Sequence, residues 1–328
     1  MEKNYIEGGL GEMNYNYINK TELKVSEIGF GTWPISGHGM GSADEQQSLH
    51  TLFHARDRGV NFFDTADMYG FGYAETLLGK VFKHHKDDVI IATKVGMQWD
   101  NQGNLRKNLR ADYIRQACED SLKRLQTDRI DLYQLHWPDP ETPLEETMEA
   151  LSRLVDQGKV RYVGVSNFSV EEMKEAGKYL PLVSNQIEYS LLERSPENEV
   201  IPYASKGQIS ILPYKILGRG ILTGKFKGVA HFEKGDWRSE EEIFKQEQLA
   251  KSLAAVEQLR PIAESYGCSI SQLVIAWALR WDMVPSVIIG ARRPEQISES
   301  CADLNFSLHT EHISQINALF EQPDKQNN

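Results

Sequence analysis

Apolar and polar positions along the chain follow two patterns that alternate. One is a short run of β-branched and aromatic residues, which is typical of buried strands. The other has a helical spacing and is clearest in residues 112–125, where the stripe comprises Ile114, Ala117, Cys118, Ser121, Leu122 and Leu125. This alternation extends over nearly the whole chain, so its order predicts the order of strands and helices.

The chain opens with a predicted β-hairpin. MNYNYI and LKVSEIGF flank an Asn-Lys turn, and the second run continues into GFGTW. Later strands are predicted at residues 60–66, 89–96, 130–137, 160–168, 182–190, 209–217 and 286–291. Helices are predicted at residues 43–59, 74–82, 112–125, 143–158, 170–179, 197–207, 246–266, 270–281, 294–304 and 309–320.

Eight strand–helix units with continuous apolar strands indicate parallel strands that are covered on both faces. We therefore predict an α/β fold of the (β/α)8 TIM-barrel class, with an N-terminal hairpin and extra C-terminal helices. No GxGxxG opens the first helix, which argues against a dinucleotide-binding open sheet. Residues 1–328 form one predicted domain, residues 1–15 are expected to be irregular, and residues 225–245 are expected to be a lid or disordered.

The charge balance narrows the function classes. Asp and Glu outnumber Lys and Arg by 47 to 36, so the formal net charge is −11. An acidic surface repels phosphate backbones, which argues against nucleic acid or an anionic membrane as partner. The three cysteines are widely spaced, and no signal core or membrane-spanning run is apparent. We therefore expect a cytoplasmic protein without a metal site; no pattern indicates its oligomeric state.

Polar residues stand where predicted apolar strands stop. Asp64, Lys94 and His136 close three strands, and Tyr69 follows the first of these three. Each has an ordinary interpretation, since Asp64 could cap a turn, Lys94 could lie on the surface, and His136 could be a hydrogen-bonded core residue. Their joint occurrence favours function, because the carboxyl ends of barrel strands form the catalytic face. The other strand ends present Thr32, Trp33, Ser166, Asn167, Gln186, Tyr214 and Gly290.

Several of these segments resemble the motifs of a known family. NFFDTADMYG, with Asp and Tyr five apart, resembles the aldo-keto reductase signature, and IDLYQLHWPD, GKVRYVGVSNF and NQIEYS resemble further motifs of that family. The resemblance runs from about Leu23 to about Leu304. LGRGILTGKF and VIIGARRPEQISES are similar to its prokaryotic and potassium-channel-β-like branch.

The chemistry of carbonyl reduction matches these residues, and the family roles that the resemblance implies are the same. Tyr69 would donate the proton, and Lys94 would lower the pKa of that phenol by charge attraction. Asp64 would hold the Lys94 ammonium, and His136 would bond the carbonyl oxygen. The substrate would contact Trp33, Tyr69, His136 and Trp137. Trp33, Met68, Trp99 and Trp137 suit an apolar pocket, although they could be packing residues.

The cofactor that the resemblance implies is NADPH or NADP+. Asn167 and Gln186 would bond the nicotinamide amide, although Asn167 could instead cap the following helix, and the ring of Tyr214 would stack on the nicotinamide. Arg292 would bind the 2′-phosphate, unless the arginines only form a solvated patch. The cofactor residues implied are Thr32, Trp33, Asp64, Ser166, Asn167, Gln186, Tyr214, Lys215, Leu217, Gly218, Arg219, Lys225, Gly290, Ala291, Arg292, Gln296, Glu299 and Ser300.

The chain departs from the family pattern at three places. Lys215 and Ile216 replace a common Ser-Pro, Ser300 replaces a common Asn, and Ile289 replaces a common Pro. The function that the resemblance implies is reduction of small aldehydes or ketones. The alternative is an NADP(H)-binding regulatory protein similar to the potassium-channel β-subunits, with little turnover. A barrel hydrolase fits poorly, because no two carboxylates close successive strands.

Overall fold

The computed structural model describes residues 13–38, 43–228, 232, 236–301, 304 and 306–321. Most of the irregular stretch expected over residues 1–15 lies outside these ranges. The predicted hairpin is present, with β1 (Tyr15–Tyr17) paired antiparallel to β2 (Lys24–Ser26). Its turn contains Lys20 in the left-handed region, at φ 60°. The second predicted run breaks at Glu27, after which the chain enters the barrel.

Eight parallel strands form a nearly closed barrel, as predicted. They are β3 (Ile28–Gly31), β4 (Phe62–Asp64), β5 (Ile90–Val95), β8 (Ile130–Leu135), β9 (Val160–Ser166), β10 (Ser184–Glu188), β11 (Ser210–Tyr214) and β12 (Val287–Gly290). Their order in the sheet is β11-β10-β9-β8-β5-β4-β3-β12. The gap between the end strands β11 and β12 is nearly closed. The backbone N–H of Ile211 in β11 donates to the carbonyl of Met283, just ahead of β12, at 2.8 Å.

Helices cover the outside of the barrel. They are α1 (Glu45–Asp57), α2 (Tyr73–Phe82), α3 (Ala111–Leu125), α4 (Leu144–Asp156), α5 (Val170–Ala176), α6 (Val200–Gly207), α7 (Gln246–Gln258), α8 (Arg260–Ser265), α9 (Ile270–Leu279), α10 (Pro294–Ser300) and α11 (Thr310–Leu319). In the described part of the chain, no helix is both long enough and apolar enough to cross a membrane.

Two helices differ from the prediction because of proline. The helix expected over residues 246–266 divides into α7 and α8, since Pro261 has no N–H to continue the hydrogen-bond ladder. The helix expected from residue 197 begins at Val200, which puts Pro202 in the first turn, where a proline is tolerated. Before it, Ser195–Glu197 forms a separate 3-10 turn.

The hairpin covers the amino-terminal end of the barrel. An apolar cluster there joins Ile18, Leu23 and Val25 to inward residues of the barrel strands, and these are Phe62, Ala92, Leu132, Val183, Leu212 and Ile288. The backbone N–H of Asn19 donates to Ser210 Oγ at 2.8 Å, at the start of β11. Since this end is filled by apolar side chains, the opposite end is left for polar residues and for ligand access.

A second hairpin was not predicted. It comprises β6 (Met97–Trp99) and β7 (Leu105–Lys107), which pair antiparallel directly after β5. Asp100 holds its turn by accepting from the N–H groups of Gln102 and Asn104 at 2.8 and 2.9 Å. These strands are short and solvated, so they carry no apolar alternation in the sequence. The hairpin lies at the carboxyl ends of the barrel strands.

The long polar stretch at residues 225–245 contains two short 3-10 helices, Trp237–Glu240 and Glu242–Phe244. Asp236 is buried ahead of them and accepts from Arg238 Nη2 at 2.6 Å. Residues 229–231 and 233–235 lie outside the described ranges. The expectation that this stretch is a lid stays a prediction.

Gly79 allows α2 and α3 to approach closely. A Cβ at this position would collide with the carbonyl oxygen of Arg124 and lie 2.9 Å from the carbonyl carbon of Leu125. We expect Gly79→Ala to force the helices apart and to lower the free energy of unfolding by about 1–3 kcal/mol. Urea denaturation measures this change.

The control is Gly207→Ala, at the end of α6. Its Cβ would lie 3.6 Å from Ile209, an ordinary contact, so this variant should be neutral or stabilised by up to about 1 kcal/mol. Equal unfolding midpoints for the two variants would contradict the close packing of α2 on α3.

Candidate active site

A buried ion pair lies at the carboxyl ends of β4 and β5. Lys94 Nζ donates to both carboxylate oxygens of Asp64, at 2.9 and 2.8 Å, and to the carbonyl of Thr65 at 2.8 Å. Both side chains are almost fully buried. Gln186 Nε2, from β10 across the barrel, donates to Asp64 Oδ1 at 2.7 Å. The charges are therefore paired and hydrogen-bonded, as burial requires.

Tyr69 and His136 complete a cluster around this pair. The hydroxyl of Tyr69 lies 3.4 Å from Lys94 Nζ. Its ring meets that of His136 edge-on at 5.8 Å and that of Trp33 at 4.9 Å. The backbone N–H of His136 donates to the carbonyl of Val95 at 2.9 Å, which fixes it beside Lys94. All four side chains predicted to do chemistry thus converge at one end of the barrel.

The expected lowering of the Tyr69 pKa is wrong in its net direction. Burial raises that pKa well above its ordinary value, and the nearby carboxylate of Asp64 raises it further. The same carboxylate largely offsets the Lys94 charge, because it bonds the ammonium directly. Burial lowers the pKa of Lys94, although the carboxylate of Asp64 acts in the opposite direction by stabilising the ammonium. The phenol of Tyr69 therefore keeps its proton at neutral pH. A proton donor has to be protonated before the reaction, so this state is compatible with the predicted role of Tyr69.

His136 is neutral in this site. Burial, followed by repulsion from Lys94, puts its pKa well below the ordinary value. Its Nδ1 is buried and has no hydrogen-bond partner among the described residues. A neutral imidazole still carries one N–H that can donate to an oxygen.

The predicted nicotinamide seat is one connected network. Asn167 Nδ2 donates to the carbonyl of His136 at 3.1 Å and to Ser166 Oγ at 3.0 Å, and Tyr214 donates to Asn167 Oδ1 at 2.9 Å. Asn167 adopts φ 61°. It does not cap α5, because Ser169 does so in a capping box with Glu172. Ser166 Oγ in turn donates to the carbonyl of Gln186 at 2.9 Å, which links Asn167 to the residue that bonds Asp64.

The loop 217–220, which holds three of the implied cofactor residues, is clamped by ion pairs that no sequence pattern indicated. Glu188 accepts from Lys215 Nζ at 2.8 Å and Arg219 Nη1 at 2.9 Å. Both cations also lie over the ring of Trp237, at 5.4 and 5.6 Å. In the same turn, Leu217 precedes Gly218, whose φ is 53°. The 236–244 segment is thereby joined to the mouth of the barrel.

Most of the remaining predicted cofactor residues lie at the end of β12 or after it. Gly290 is exposed, and a Cβ there would lie 2.5 Å from Pro34, so only glycine allows this approach. Gln296 Oε1 accepts from the backbone N–H groups of Arg292 and Arg293, at 2.8 and 3.2 Å. The other members are Ala291, which is buried, Glu299, which pairs with Lys225, and Ser300, which bonds the Gln296 carbonyl at 3.2 Å.

Buried polar atoms test whether this site suits a dinucleotide. Arg219 Nε, Trp237 Nε1 and Thr32 Oγ1 are buried and have no hydrogen-bond partner among the described residues. Two of these, on Arg219 and Trp237, are donors at the loop 217–220, and a pyrophosphate offers the acceptors that they lack. The residues therefore fit a nicotinamide dinucleotide. Within the described ranges, no group of three or more His, Cys, Asp or Glu side chains is arranged to hold a metal.

A second buried polar cluster lies behind Tyr69. Arg124 Nε donates to Glu75 Oε2 at 2.7 Å, and Thr93 donates to Glu75 Oε1 at 2.6 Å. Asp67 is buried beside it, and burial, together with the charge of Glu75, raises its pKa well above the ordinary value. No motif or strand-end pattern in the sequence indicated this cluster. The sequence feature that could have indicated this cluster is the position of Asp67 and Glu75 on either side of Tyr69 in one short segment.

Comparisons with known proteins match almost the whole chain. A sequence model described as the Aldo/keto reductase family matches residues 27–321. Aldo-keto reductase YhdN of Bacillus subtilis is 41% identical over 312 residues, which cover 94% of each chain. The NADH-specific methylglyoxal reductase of Escherichia coli is 34% identical over 306 residues, 89% of this chain and 93% of that protein. The solved glycerol dehydrogenase AKR11B4 from Gluconobacter oxydans has a TM-score of 0.89 and 34% identity, and covers 96% of this chain and 99% of that one.

The neutral state of His136 predicts a pH effect on stability. The unfolded chain protonates this histidine below about pH 6.5, whereas the folded chain resists protonation. The unfolded state then binds more protons, so the free energy of unfolding falls as the pH falls below about 6.5. In His136→Gln this fall should be smaller, by up to about 1.4 kcal/mol per pH unit. Urea denaturation between pH 7.5 and pH 5 measures the difference.

His84→Gln, at an exposed histidine, is the matched control and should retain the wild-type dependence. If His136→Gln had the wild-type pH dependence as well, the buried neutral state of His136 would be contradicted.

Proposed function

Since the chain belongs to the Aldo/keto reductase family, we propose that it reduces small aldehydes or ketones to alcohols with NADPH, and that Tyr69 is the proton donor. The observation that carries this proposal is the position of Lys94 Nζ, bonded to Asp64 and 3.4 Å from the Tyr69 hydroxyl in a buried site. The family and its reductase-named relatives make the chain an oxidoreductase. Oxidation of a polyol or sugar by the same residues is the reverse reaction.

Tyr69 and His136 would act on the carbonyl oxygen. The His136 imidazole, kept neutral by burial, would donate its N–H and orient the carbonyl. The cofactor, when bound, supplies a hydride to the carbonyl carbon. As negative charge develops on the oxygen, the Tyr69 O–H bond breaks and the proton moves to that oxygen, which gives the alcohol.

Lys94 would act when the phenol has lost its proton. A phenolate at Tyr69 is attracted by the ammonium 3.4 Å away, which makes the proton transfer less costly. Asp64 would hold that ammonium by two hydrogen bonds and keep it from moving toward other acceptors. Lys94 would thus offset part of the rise in the Tyr69 pKa that burial and Asp64 cause.

The dinucleotide would lie across the mouth of the barrel. Asn167, Gln186 and Tyr214 would take the nicotinamide end, and the loop with Arg219 would take the pyrophosphate. Arg292 would bind the 2′-phosphate of NADPH, because a guanidinium fits a phosphate with two hydrogen bonds. One relative carries the name NADH-specific, so the preference of this chain is a property to be measured.

The test of the proton donor is Tyr69→Phe. The substitution removes only the hydroxyl, so we expect kcat for carbonyl reduction to fall by about 10²- to 10⁴-fold. The variant should still bind NADPH, and the fluorescence of NADPH measures this binding. The measurement is NADPH consumption over a panel of aldehydes and ketones, with NADH in parallel.

Tyr162→Phe is the control, since that hydroxyl accepts from the backbone of Glu22 at the closed end of the barrel. Retained turnover in Tyr69→Phe would remove Tyr69 from the acid role. If the wild type bound NADPH tightly but turned over no member of the panel, the regulatory alternative would replace the reductase proposal.

The test of cofactor preference is Arg292→Ala. Loss of a charge-assisted phosphate contact should raise the Kd for NADPH by about 10- to 100-fold and leave the Kd for NADH near its wild-type value. Fluorescence titration measures both. Arg293→Ala is the control, because it removes the adjacent arginine and so tests whether the loss is specific to position 292. An equal loss for NADPH and NADH would show that Arg292 does not read the 2′-phosphate.

A further inference from the structure

Two acidic side chains are buried behind Tyr69, and only one of them has a full set of hydrogen-bond partners. Glu75, in α2, is fully buried. Arg124 from α3 donates to its Oε2 at 2.7 Å, and Thr93 from β5 donates to its Oε1 at 2.6 Å. Both oxygens of Glu75 are therefore bonded, and its charge is paired with that of Arg124.

The carboxyl group of Asp67 is 1% exposed and has weaker contacts. Its Oδ1 is buried without a hydrogen-bond partner among the described residues, and its Oδ2 accepts a long bond, 3.4 Å, from the hydroxyl of Tyr113 in α3. Asp64, three residues earlier, is bonded by Lys94 on both oxygens and by Gln186. A buried carboxylate needs such donors, so the contacts of Asp67 suit an acid that keeps its proton.

The charges around Asp67 favour the same state. Burial raises the pKa of this carboxyl group well above its ordinary value, and the charge of Glu75 raises it further, against the attraction of Arg124. Arg124 is already the partner of Glu75, so one cation faces two acids. The ionisable groups that interact with Asp67 are Tyr69, Glu75, Lys94, Tyr113, Arg124 and Tyr133.

Asp67 lies inside the turn that carries Tyr69. The backbone N–H of Tyr69 donates to the carbonyl of Ala66 at 3.1 Å and closes this turn. The backbone N–H of Asp67 lies 3.4 Å from the carbonyl of Lys94, and its side chain reaches Tyr113. The turn is thus joined to β5 by its backbone and to α3 by the Asp67 side chain.

We propose that Asp67 is a positioning residue for the proton donor Tyr69, and that it acts as a neutral carboxylic acid. The inference rests on the proposed role of Tyr69, which it deepens. A neutral Asp67 joins the turn to Tyr113 without placing another negative charge behind the phenol. An ionised Asp67 would oppose formation of the Tyr69 phenolate by charge repulsion. Asp67 keeps its proton throughout the reaction and does not touch the substrate.

The kinetic test compares Asp67→Asn with Asp67→Ala. Asparagine keeps the shape and the neutrality of the protonated acid, so kcat for carbonyl reduction and its pH profile should stay near those of the wild type. Alanine frees the turn, so kcat should fall by about 10- to 100-fold with little change in KM, because a misplaced proton donor weakens only the transition state. Tyr113→Phe, which removes the partner hydroxyl, should lower kcat in the same direction.

Infrared spectroscopy tests the charge state of Asp67 without turnover. A protonated carboxyl group has a C=O stretch that is separate from the bands of a carboxylate. The wild type should show this band at neutral pH, and Asp67→Asn should lose its intensity.

Asp139→Asn is the matched control for the infrared measurement. Asp139 is also buried, and it accepts from Thr142 at 2.7 Å and from the backbone N–H of Leu109 at 3.0 Å. Burial raises the pKa of Asp139, but these hydrogen bonds outweigh that effect and hold the pKa below its ordinary value. Asp139 is therefore a carboxylate at neutral pH, and Asp139→Asn should keep the wild-type band.

Fluorine NMR tests the position of Tyr69 without turnover. 3-Fluorotyrosine incorporated at position 69 alone should give a single narrow resonance in the wild type and in Asp67→Asn. In Asp67→Ala this resonance should shift or broaden, because the turn is no longer held on α3. If no carbonyl turns over but the infrared and fluorine results are found, the positioning role stands and the reductase proposal fails.

Three results would overturn the positioning role. One is an infrared band that persists unchanged in Asp67→Asn. Another is a loss of kcat, or a shifted pH profile, in Asp67→Asn as large as in Asp67→Ala, which would mean that the native side chain acts through its charge. The third is an unchanged fluorine resonance in Asp67→Ala. Urea denaturation checks the folding of each variant, and if Asp67→Ala does not fold, Tyr113→Phe provides the same comparison.

Discussion

The Asp64–Lys94 ion pair is the interaction on which the site depends. Taking two charges out of water is costly, and only close pairing with further hydrogen bonds offsets the cost. Here Thr65, Gln186 and Tyr69 surround the pair, and they belong to or follow strands on opposite sides of the barrel. Removing one partner would leave an uncompensated buried charge, which typically costs about 3–5 kcal/mol. The ion pair therefore fixes the positions of these residues relative to one another at the carboxyl ends of the strands.

The two ends of the barrel are chemically opposite, and this asymmetry follows from where the hairpins lie. The β1–β2 hairpin brings Ile18, Leu23 and Val25 into contact with the inward residues of the strands and seals the amino end. The β6–β7 hairpin follows β5 at the other end and forms part of an open rim. An apolar seal on one side and an open polar cluster on the other leave a ligand a single direction of approach.

Burial sets the protonation states of the groups that would do the chemistry. It raises the pKa of Tyr69 and lowers that of His136, so both are neutral at physiological pH. Lys94 of the ion pair lies 3.4 Å from the Tyr69 hydroxyl. Tyr69 and His136 thus carry no charge before the reaction. The negative charge that reaction would generate would develop next to the Lys94 ammonium, which is already in position. The family membership confirms the resemblance carried by the strand-end motifs.

Much of the fold and the set of residues at its centre follow from the sequence alone. Eight apolar runs alternating with helical stripes predicted the barrel, because side-chain periodicity is a local property of strands and helices. Polar residues at strand ends predicted that Asp64, Lys94, His136 and Gln186 would meet, because parallel strands share one carboxyl end. Only the tertiary structure decided the direction of the Tyr69 pKa shift, the ion pair of Glu188 with Arg219, and the ring contacts that join Trp33, His38, Phe71 and Trp99. Those features join segments far apart in the chain, and burial and charge contacts between such segments leave no periodic signal in the sequence.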